Sequence, residues 1–224
     1  MKNKVQHFIT EKSLFSREDK LILGISGGAD SVCLMHILLD FGYCFDLAHC
    51  NFNLRGKESD EDENFVKELA EKYQLKIHVK RFDTEGYATE NKISTQMAAR
   101  DLRYAWFEEL RVEHKLDFIA TAHHLDDQIE TVLLNLSRGT GLKGLHGILA
   151  KQHFLIRPLL FCDRHSLELW MAEKGYSHRE DSSNASEKYS RNKIRHQVLP
   201  LLKEINPSLS NTFLQPILAA FFSA

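Results

Sequence analysis

A short polar turn between two apolar segments is the first place where this chain could do chemistry. The turn follows the apolar run 21–25, precedes the apolar run 32–39, and consists of Ser26, Gly27, Gly28, Ala29, Asp30 and Ser31. Glycines permit a tight backbone and close approach of a ligand. The N–H groups that open the following helix attract anions. The turn therefore predicts a phosphate site, and the alternative is an ordinary strand-to-helix turn capped by Asp30 or Ser31.

Acidic residues form a second candidate group, in the sequence HHLDDQIET. His123, Asp127 and Glu130 recur at i, i+4 and i+7, which places them on one side of a helix. Carboxylates in this position could hold Mg²⁺ or orient an amine nucleophile. The alternative is a solvated helix face whose first acids favour the helix dipole, which suits Asp126 better than Asp127.

Arginines form a third group, in two separate stretches. Arg100 and Arg103 lie in AARDLRYAWF, interleaved with aromatic residues, and Arg191 and Arg195 lie in SRNKIRHQ. Arginine suits bidentate contacts with phosphate. Of the first pair, Arg100 is the stronger candidate for a phosphate or transition-state contact. The alternatives are a packed helix for the first stretch and an exposed basic helix for the second.

Alternating strands and helices must position these groups. Strand-like runs at 20–26, 44–50, 76–82, 117–123 and 153–160 are separated by helix-like segments. This order predicts an α/β fold, a parallel sheet with helices on both faces. Ligands then bind beyond the carboxyl ends of the strands, at a topological switch point. After residue 160 the pattern is helical, so we expect a domain at 1–160 and a helical extension or linker at 161–224.

Composition describes an ordinary globular protein. The 224 residues are 43% hydrophobic and 27% charged, with a net charge of −2. The four cysteines form no C-x-x-C pair, which favours free thiols in a reducing compartment over disulfides or zinc. The sequence contains no membrane-spanning run, which predicts a cytoplasmic protein with no membrane partner. The tail 206–224 lacks charged residues, and its apolar end is expected to pack on this domain, a missing segment or a second copy in a homodimer.

The motif S-G-G-x-D-S after a first strand resembles the signature of the PP-loop ATP pyrophosphatases. Further stretches at 49–56 (HCNFNLRG), 99–110, 120–147 and 179–200 occur in the order seen in the tRNA(Ile)-lysidine synthetases. The similarity extends over residues 15–204, most of the chain. The resemblance implies the adenine nucleotide alpha hydrolase-like fold and the use of ATP and Mg²⁺. Members of this family usually continue into distal C-terminal tRNA-binding domains, and from the motifs we expect no such domains within these 224 residues.

The resemblance also implies a reaction. The partners would be free L-lysine and tRNA(Ile) with a CAU anticodon. Lysine would be joined to C2 of the wobble cytidine through an adenylated base, giving lysidine, AMP and pyrophosphate. Two alternatives stay open, another PP-loop tRNA-modifying enzyme of the thiolation type and a non-catalytic ATP-binding module.

Roles for individual residues follow from the same resemblance. The ATP site would comprise Ser26–Ser31 and His49. The catalytic residues would be Asp30, Arg100, Asp127, Glu130 and Arg195, with Asp30 and Asp127 as the candidate Mg²⁺ ligands. Contacts with substrate or tRNA would come from Asn51, Arg55, His123, Arg191 and Asn192.

Overall fold

The computed structural model describes residues 1–140, 145–180 and 190–214. Its strands are Lys20–Gly24 (β1), Cys44–Asn51 (β2), Ile77–Arg81 (β3), Phe118–Ala120 (β4), Lys151–Gln152 (β5) and Leu155–Ile156 (β6). They form one sheet in the order β3-β2-β1-β4-β6-β5. All neighbours are parallel except β5 and β6, which form an antiparallel pair at the edge. The α/β fold that the sequence predicts is confirmed. The sequence does not predict the two-residue strand β5, because its polar residues show no strand-like pattern.

Helices cover both faces of the sheet. They are Lys2–Glu11 (α1), Ala29–Asp40 (α2), Lys57–Lys72 (α3), Thr84–Glu90 (α4), Thr95–Glu113 (α5), Leu125–Ser137 (α6), Arg164–Lys174 (α7), Ser190–Lys193 (α8), Leu199–Ile205 (α9) and Leu209–Leu214 (α10). Apolar residues of α1, α2, α3 and α7 share one core with the sheet. Trp106, Phe107 and Leu110 of α5 pack in a second core on the opposite face.

The sheet has one topological switch point, between β1 and β4. From β1 the chain moves outward to β2 and β3 on one side, whereas β4 and β6 lie on the other. Loops that leave the carboxyl ends of β1 and β4 therefore diverge and leave a crevice. Gly24 ends β1 here, and a Cβ atom in its place would lie 2.7 Å from Cε2 of Phe107. Only glycine lets α5 pack this closely beneath the crevice.

The part of the chain after residue 160 packs on the rest in two places. Leu167, Trp170 and Met171 of α7 belong to the same core as α2. Further on, α8 continues through a π-helical turn, Ile194–Val198, into α9, and Leu199 packs against α6. The division at residue 160 stays a prediction, and parts of the extension, 181–189 and 215–224, lie outside the described residues. No helix in the described ranges is both long and apolar enough to cross a membrane.

Candidate active site

A cavity of about 380 Å³ occupies the switch point. Its walls combine the loop after β1, the end of β2, one side of α5, the loop after β4, and the helices that follow. The lining residues include Ser26, Asp30, Ser31, Ala48, Cys50, Phe52, Arg103, Tyr104, Thr121, His123, Asp127 and Arg195. The crevice predicted at the carboxyl ends of the strands is therefore present and carries residues from several of the sequence motifs.

The loop Ser26–Ser31 is organised by its own hydroxyl groups. The Ser31 hydroxyl donates to the Gly28 carbonyl at 3.0 Å and accepts from the Ser26 N–H at 3.2 Å. The two serine oxygens lie 3.1 Å apart. Gly27 has a φ of +92°, a conformation that side-chain-bearing residues rarely adopt. These bonds present the first N–H groups of α2, which have no partner within the helix, to an anion.

Arg179, the first residue of the stretch 179–200, supports this loop from behind, a role that the sequence did not predict. Its N–H donates to the Gly27 carbonyl at 2.9 Å. Its guanidinium binds Asp62 at 3.0 Å and Glu61 at 2.7 Å, both on α3. The acids of α3 thus fix Arg179, and Arg179 fixes the loop.

Two carboxylates face each other across His124. Its Nε2 atom lies 3.6 Å from Oδ2 of Asp30 and 3.5 Å from Oδ2 of Asp127. Burial alone would lower the pKa of His124, but Asp127, Asp30 and Asp126 outweigh burial and raise it. Burial would raise the pKa of Asp127, and the neighbouring His124 has the largest opposing effect and helps to lower it. The imidazole of His124 therefore lies between the carboxylates of Asp30 and Asp127 and interacts electrostatically with both.

The acids of α6 also bind the arginines near the C-terminal end of the chain. Glu130 is fully buried and accepts from Arg195 at 2.6 Å and from Arg191 at 2.9 Å. Arg195 reaches Asp127 as well, at 3.1 Å. The π-helical turn carries Arg195, and such turns often occur at functional sites. We call Asp127, Glu130, Arg191 and Arg195 the acid–arginine cluster.

His123 lies in the pocket wall in its neutral form. Its Nδ1 atom is 2.9 Å from the Thr121 hydroxyl. Burial, which Asp127 only partly offsets, lowers the pKa of His123 to about 4. At neutral pH it can therefore donate or accept a hydrogen bond without adding charge.

The acids suit a magnesium ion. Oδ1 of Asp30 is buried and has no hydrogen-bond partner among the described residues. Asp30 and Asp127 line the same pocket beside the anion-binding loop. The described part of the chain contains no group of three potential metal ligands. Mg²⁺ in proteins is usually bound by one or two carboxylates together with phosphate oxygens and water, so Asp30 and Asp127 fit this donor set.

Comparisons with known proteins identify the family. The sequence profile of the PP-loop domain matches residues 1–202. The tRNA(Ile)-lysidine synthase of Bacteroides thetaiotaomicron is 46% identical over 96% of this chain and 50% of that protein. The one from Petrotoga mobilis is 36% identical over 94% of this chain and 68% of that protein.

The chain belongs to the tRNA(Ile)-lysidine synthase family of PP-loop proteins. It spans about half the length of several of these relatives, such as the Bacteroides protein. Among solved structures, the U34-tRNA thiolase NcsA from Methanococcus maripaludis superposes with a TM-score of 0.76 over 96% of this chain and 76% of that chain, at 20% identity, which shows a shared fold. The PP-loop match at 1–202 includes both the loop Ser26–Ser31 and the acid–arginine cluster.

Other candidates in this lysidine synthase family member lie away from the pocket lining. His49 is buried, and its Nδ1 atom is 2.9 Å from the Ile25 carbonyl. Asn51 donates to Glu63 at 2.8 Å. Arg55 pairs with Asp62 at 2.7 Å. The pocket is lined instead by Ala48, Cys50 and Phe52, because alternate residues of β2 and its extension face opposite sides.

The remaining candidates lie at the edge of the site. Arg100 is exposed and sits 4.9 Å from the ring of Tyr104, whereas its neighbour Arg103 lines the pocket. Asn192 is partly buried on α8, next to Arg191. The roles assigned to all these residues stay predictions. Of the arginine pair that the sequence singles out, the weaker candidate Arg103 is the one that lines the pocket. Tyr104 and His124 are additions, which only the packing of α5 and the geometry of the acids identify.

Proposed function

We propose that this chain carries the ATP-dependent catalytic centre of a lysidine-forming ligase. The supporting observation is a single pocket that combines an anion-binding loop with two facing carboxylates. The loop suits the phosphates of ATP. The carboxylates suit a metal ion and a cationic amine, the two positive groups that the reaction needs.

The first step activates the wobble cytidine. The C2 oxygen of the base attacks the α-phosphate, and the bond to pyrophosphate breaks. The Ser26 and Ser31 hydroxyls and the N–H groups of the first turn of α2 hold the phosphates and stabilise the charge that develops on them. Asp30 and Asp127 would hold Mg²⁺, which neutralises phosphate charge when bound.

The second step forms the new C–N bond. The ε-ammonium of lysine first loses a proton to water. The neutral amine then attacks C2, the C2–O bond breaks, AMP leaves with the oxygen, and the nitrogen releases a further proton to water. Asp127 attracts the amine to the pocket. Glu130 has a different task, because its carboxylate is fully buried and occupied by Arg191 and Arg195. It positions Arg195, which lines the pocket and can contact the tRNA substrate.

The test measures both products. Pyrophosphate release from ATP is followed with tRNA(Ile) bearing a CAU anticodon, with and without lysine, and the wobble nucleotide is then weighed by mass spectrometry. A lysine-sized mass gain is expected. Asp127→Asn should abolish it, whereas Asp101→Asn, an exposed acid on α5, should leave it unchanged.

Other outcomes would contradict the proposal in distinct ways. Pyrophosphate release without a lysine adduct would indicate a different nucleophile, such as the sulfur source of a thiolation enzyme. ATP binding with neither product would indicate a nucleotide-binding module, or a reaction that needs parts outside this chain.

A further inference from the structure

One buried carboxylate lies between two loops that border the pocket. Asp62 of α3 is buried, and each of its two oxygens binds a different arginine. Its Oδ1 atom accepts from Nε of Arg179 at 3.0 Å, and its Oδ2 atom accepts from Nη2 of Arg55 at 2.7 Å. The two arginines belong to segments that are far apart in the sequence, so Asp62 joins two separate parts of the chain.

Through Arg179, Asp62 is connected to the loop Ser26–Ser31, which we call the phosphate loop. The Arg179 N–H donates to the Gly27 carbonyl at 2.9 Å. A Cβ atom at Gly27 would lie 3.6 Å from Cγ of Arg179 and 3.3 Å from Cδ1 of Phe65, which is also on α3. The phosphate loop therefore packs directly on Arg179 and on the helix that carries Asp62.

Through Arg55, Asp62 is connected to the loop 52–56, which joins β2 to α3. The Arg55 N–H donates to the Ser59 hydroxyl at 3.2 Å, so α3 holds both the backbone and the side chain of this arginine. Phe52, at the start of the loop, lines the same pocket as the phosphate loop. Because both loops border the pocket, their separation sets the room for a nucleotide between them.

A neighbouring acid, Glu61, binds the same arginine but is less suited to fix it. Glu61 lies 2.7 Å from Arg179, and its side chain is 58% exposed, whereas the side chain of Asp62 is 10% exposed. Exposed ion pairs are weakened by water and salt. Removing a buried carboxylate leaves its cationic partners without their countercharge, which has a much larger effect.

We propose that Asp62 is a positioning residue that holds the phosphate loop and the loop 52–56 in a fixed relation to each other. This inference rests on the proposed function, in which the phosphate loop binds the phosphates of ATP. Asp62 does not line the pocket. It acts through Arg179 on the loop that binds phosphate and through Arg55 on the loop that carries Phe52.

The first measurement is the affinity of the full chain for a non-hydrolysable ATP analogue, determined by calorimetry. Asp62→Asn keeps the size of the side chain and removes its charge, so affinity should fall roughly tenfold, as for the loss of one charge-assisted hydrogen bond. Asp62→Glu keeps the charge and should recover part of this loss. Arg179→Gln should weaken binding about as much as Asp62→Asn. The double variant should be no weaker than either single variant, because both residues act through the same contact.

The second measurement is amide hydrogen exchange without ATP, which reports local opening of each loop. Asp62→Asn should reduce protection in both 26–31 and 52–56. Arg179→Gln should reduce it only in 26–31, and Arg55→Gln only in 52–56. Arg55→Gln should also leave the affinity for the ATP analogue within about twofold of wild type, because Arg55 does not contact the phosphate loop among the described residues.

Asp46→Asn provides the matched control. Asp46 is also an acid shared by two basic side chains, His78 at 3.0 Å and Lys76 at 3.2 Å, and its side chain is 18% exposed. It lies near the start of β2, away from the carboxyl end of the strand that borders the pocket. This variant should leave both the ATP affinity and the exchange of the two loops unchanged. Urea unfolding shows which variants fold, and if Asp62→Asn does not, the exchange patterns of Asp62→Glu, Arg55→Gln and Arg179→Gln provide the test.

The other outcomes separate this inference from the proposed function. If Asp62→Asn folds and keeps the wild-type affinity for the ATP analogue, or if its effect adds to that of Arg179→Gln, the inference is wrong and the proposed function stands. If Asp62→Asn reduces protection in 26–31 alone, Asp62 supports only the phosphate loop, and the inferred link between the loops is wrong. If wild type does not bind the ATP analogue, the proposed function fails, and the exchange pattern still tests the link between the loops.

Discussion

The two ends of the pocket are built in different ways. In the loop Ser26–Ser31, every internal hydrogen bond joins residues at most five positions apart. In the acid–arginine cluster, the bonded side chains are 61 to 68 positions apart. Apart from the distant support that Arg179 gives to Gly27, the loop therefore takes its shape from local sequence, whereas the cluster forms only when α8 and the π-helical turn pack over α6. The loop Ser26–Ser31 forms the phosphate end of the pocket, and the acid–arginine cluster forms the end for the second substrate. We expect the two ends to respond independently to mutation.

The largest expected effect comes from Glu130→Gln. This change leaves two arginines without their shared buried countercharge. Removing one partner of a buried ion pair typically costs about 3–5 kcal/mol. We therefore expect the free energy of unfolding to fall by about that amount in urea titrations, with ATP affinity changed by less than twofold.

A surface pair provides the matched control. Glu168 pairs with Arg164 at 2.8 Å, with both side chains exposed by more than a third. Glu168→Gln should cost at most about 1 kcal/mol. If Glu130→Gln weakened ATP binding as strongly as it lowered stability, the two ends of the pocket would not be independent.

Gly24→Ala tests how the phosphate end is supported from below. The added methyl group would lie 2.7 Å from Phe107 Cε2, and overpacking of this kind costs about 1–3 kcal/mol. Replacing Phe107 with the smaller leucine should remove this steric clash. The double variant Gly24→Ala, Phe107→Leu should therefore lose less unfolding free energy than the sum of the two single changes. The measurement is a double-mutant cycle in urea. Simple additivity of the two changes would show that this contact does not set the position of α5.

A ring-stacking contact joins α2, the helix that follows the loop, to the segment after residue 160. His36 of α2 stacks on Tyr176 with ring centroids 3.5 Å apart and is buried. Burial, opposed by Asp40, lowers the pKa of His36 from 6.5 to about 4. Between these values the unfolded chain binds a proton that the folded chain does not. Stability should therefore fall as pH drops from 6.5 to 4, by up to about 1.4 kcal/mol per pH unit.

His36→Phe keeps a ring for stacking and removes the titration. Its unfolding free energy should depend less steeply on pH across this interval than that of wild type. His7→Phe, which changes an exposed histidine on α1, should keep the wild-type slope. Equal slopes in wild type and His36→Phe would show that His36 does not titrate in this way.

The same contrast explains what the sequence could predict. The phosphate loop is contiguous, so its motif and position between β1 and α2 were visible. The cluster was visible only as separate acids and arginines, because nothing in a linear pattern pairs Glu130 with Arg195. The sequence also does not show which alternate residues of β2 face the pocket. The polar residue His49 is therefore predicted to contact ATP, whereas Cys50 is the residue that lines the pocket.

Ser31→Ala should have the smallest effect on stability and a selective effect on ATP. The Ser31 hydroxyl makes three contacts within the loop, with the Gly28 carbonyl, the Ser26 N–H and the Ser26 hydroxyl. Ser31 is buried, but its partner Ser26 is exposed, so water can replace part of these bonds, and we expect a loss of about 1 kcal/mol in unfolding free energy. The N–H groups of α2 would lose their fixed orientation, so ATP affinity should fall by about tenfold. Lysine binding should stay within about twofold of wild type, because the acid–arginine cluster makes no contact with Ser31 among the described residues.

Calorimetric titration with each ligand measures both effects, with Ser137→Ala on the exposed end of α6 as the control. Equal losses for ATP and lysine would mean that the loop organises the whole pocket, and the two ends would then have to be treated as one unit.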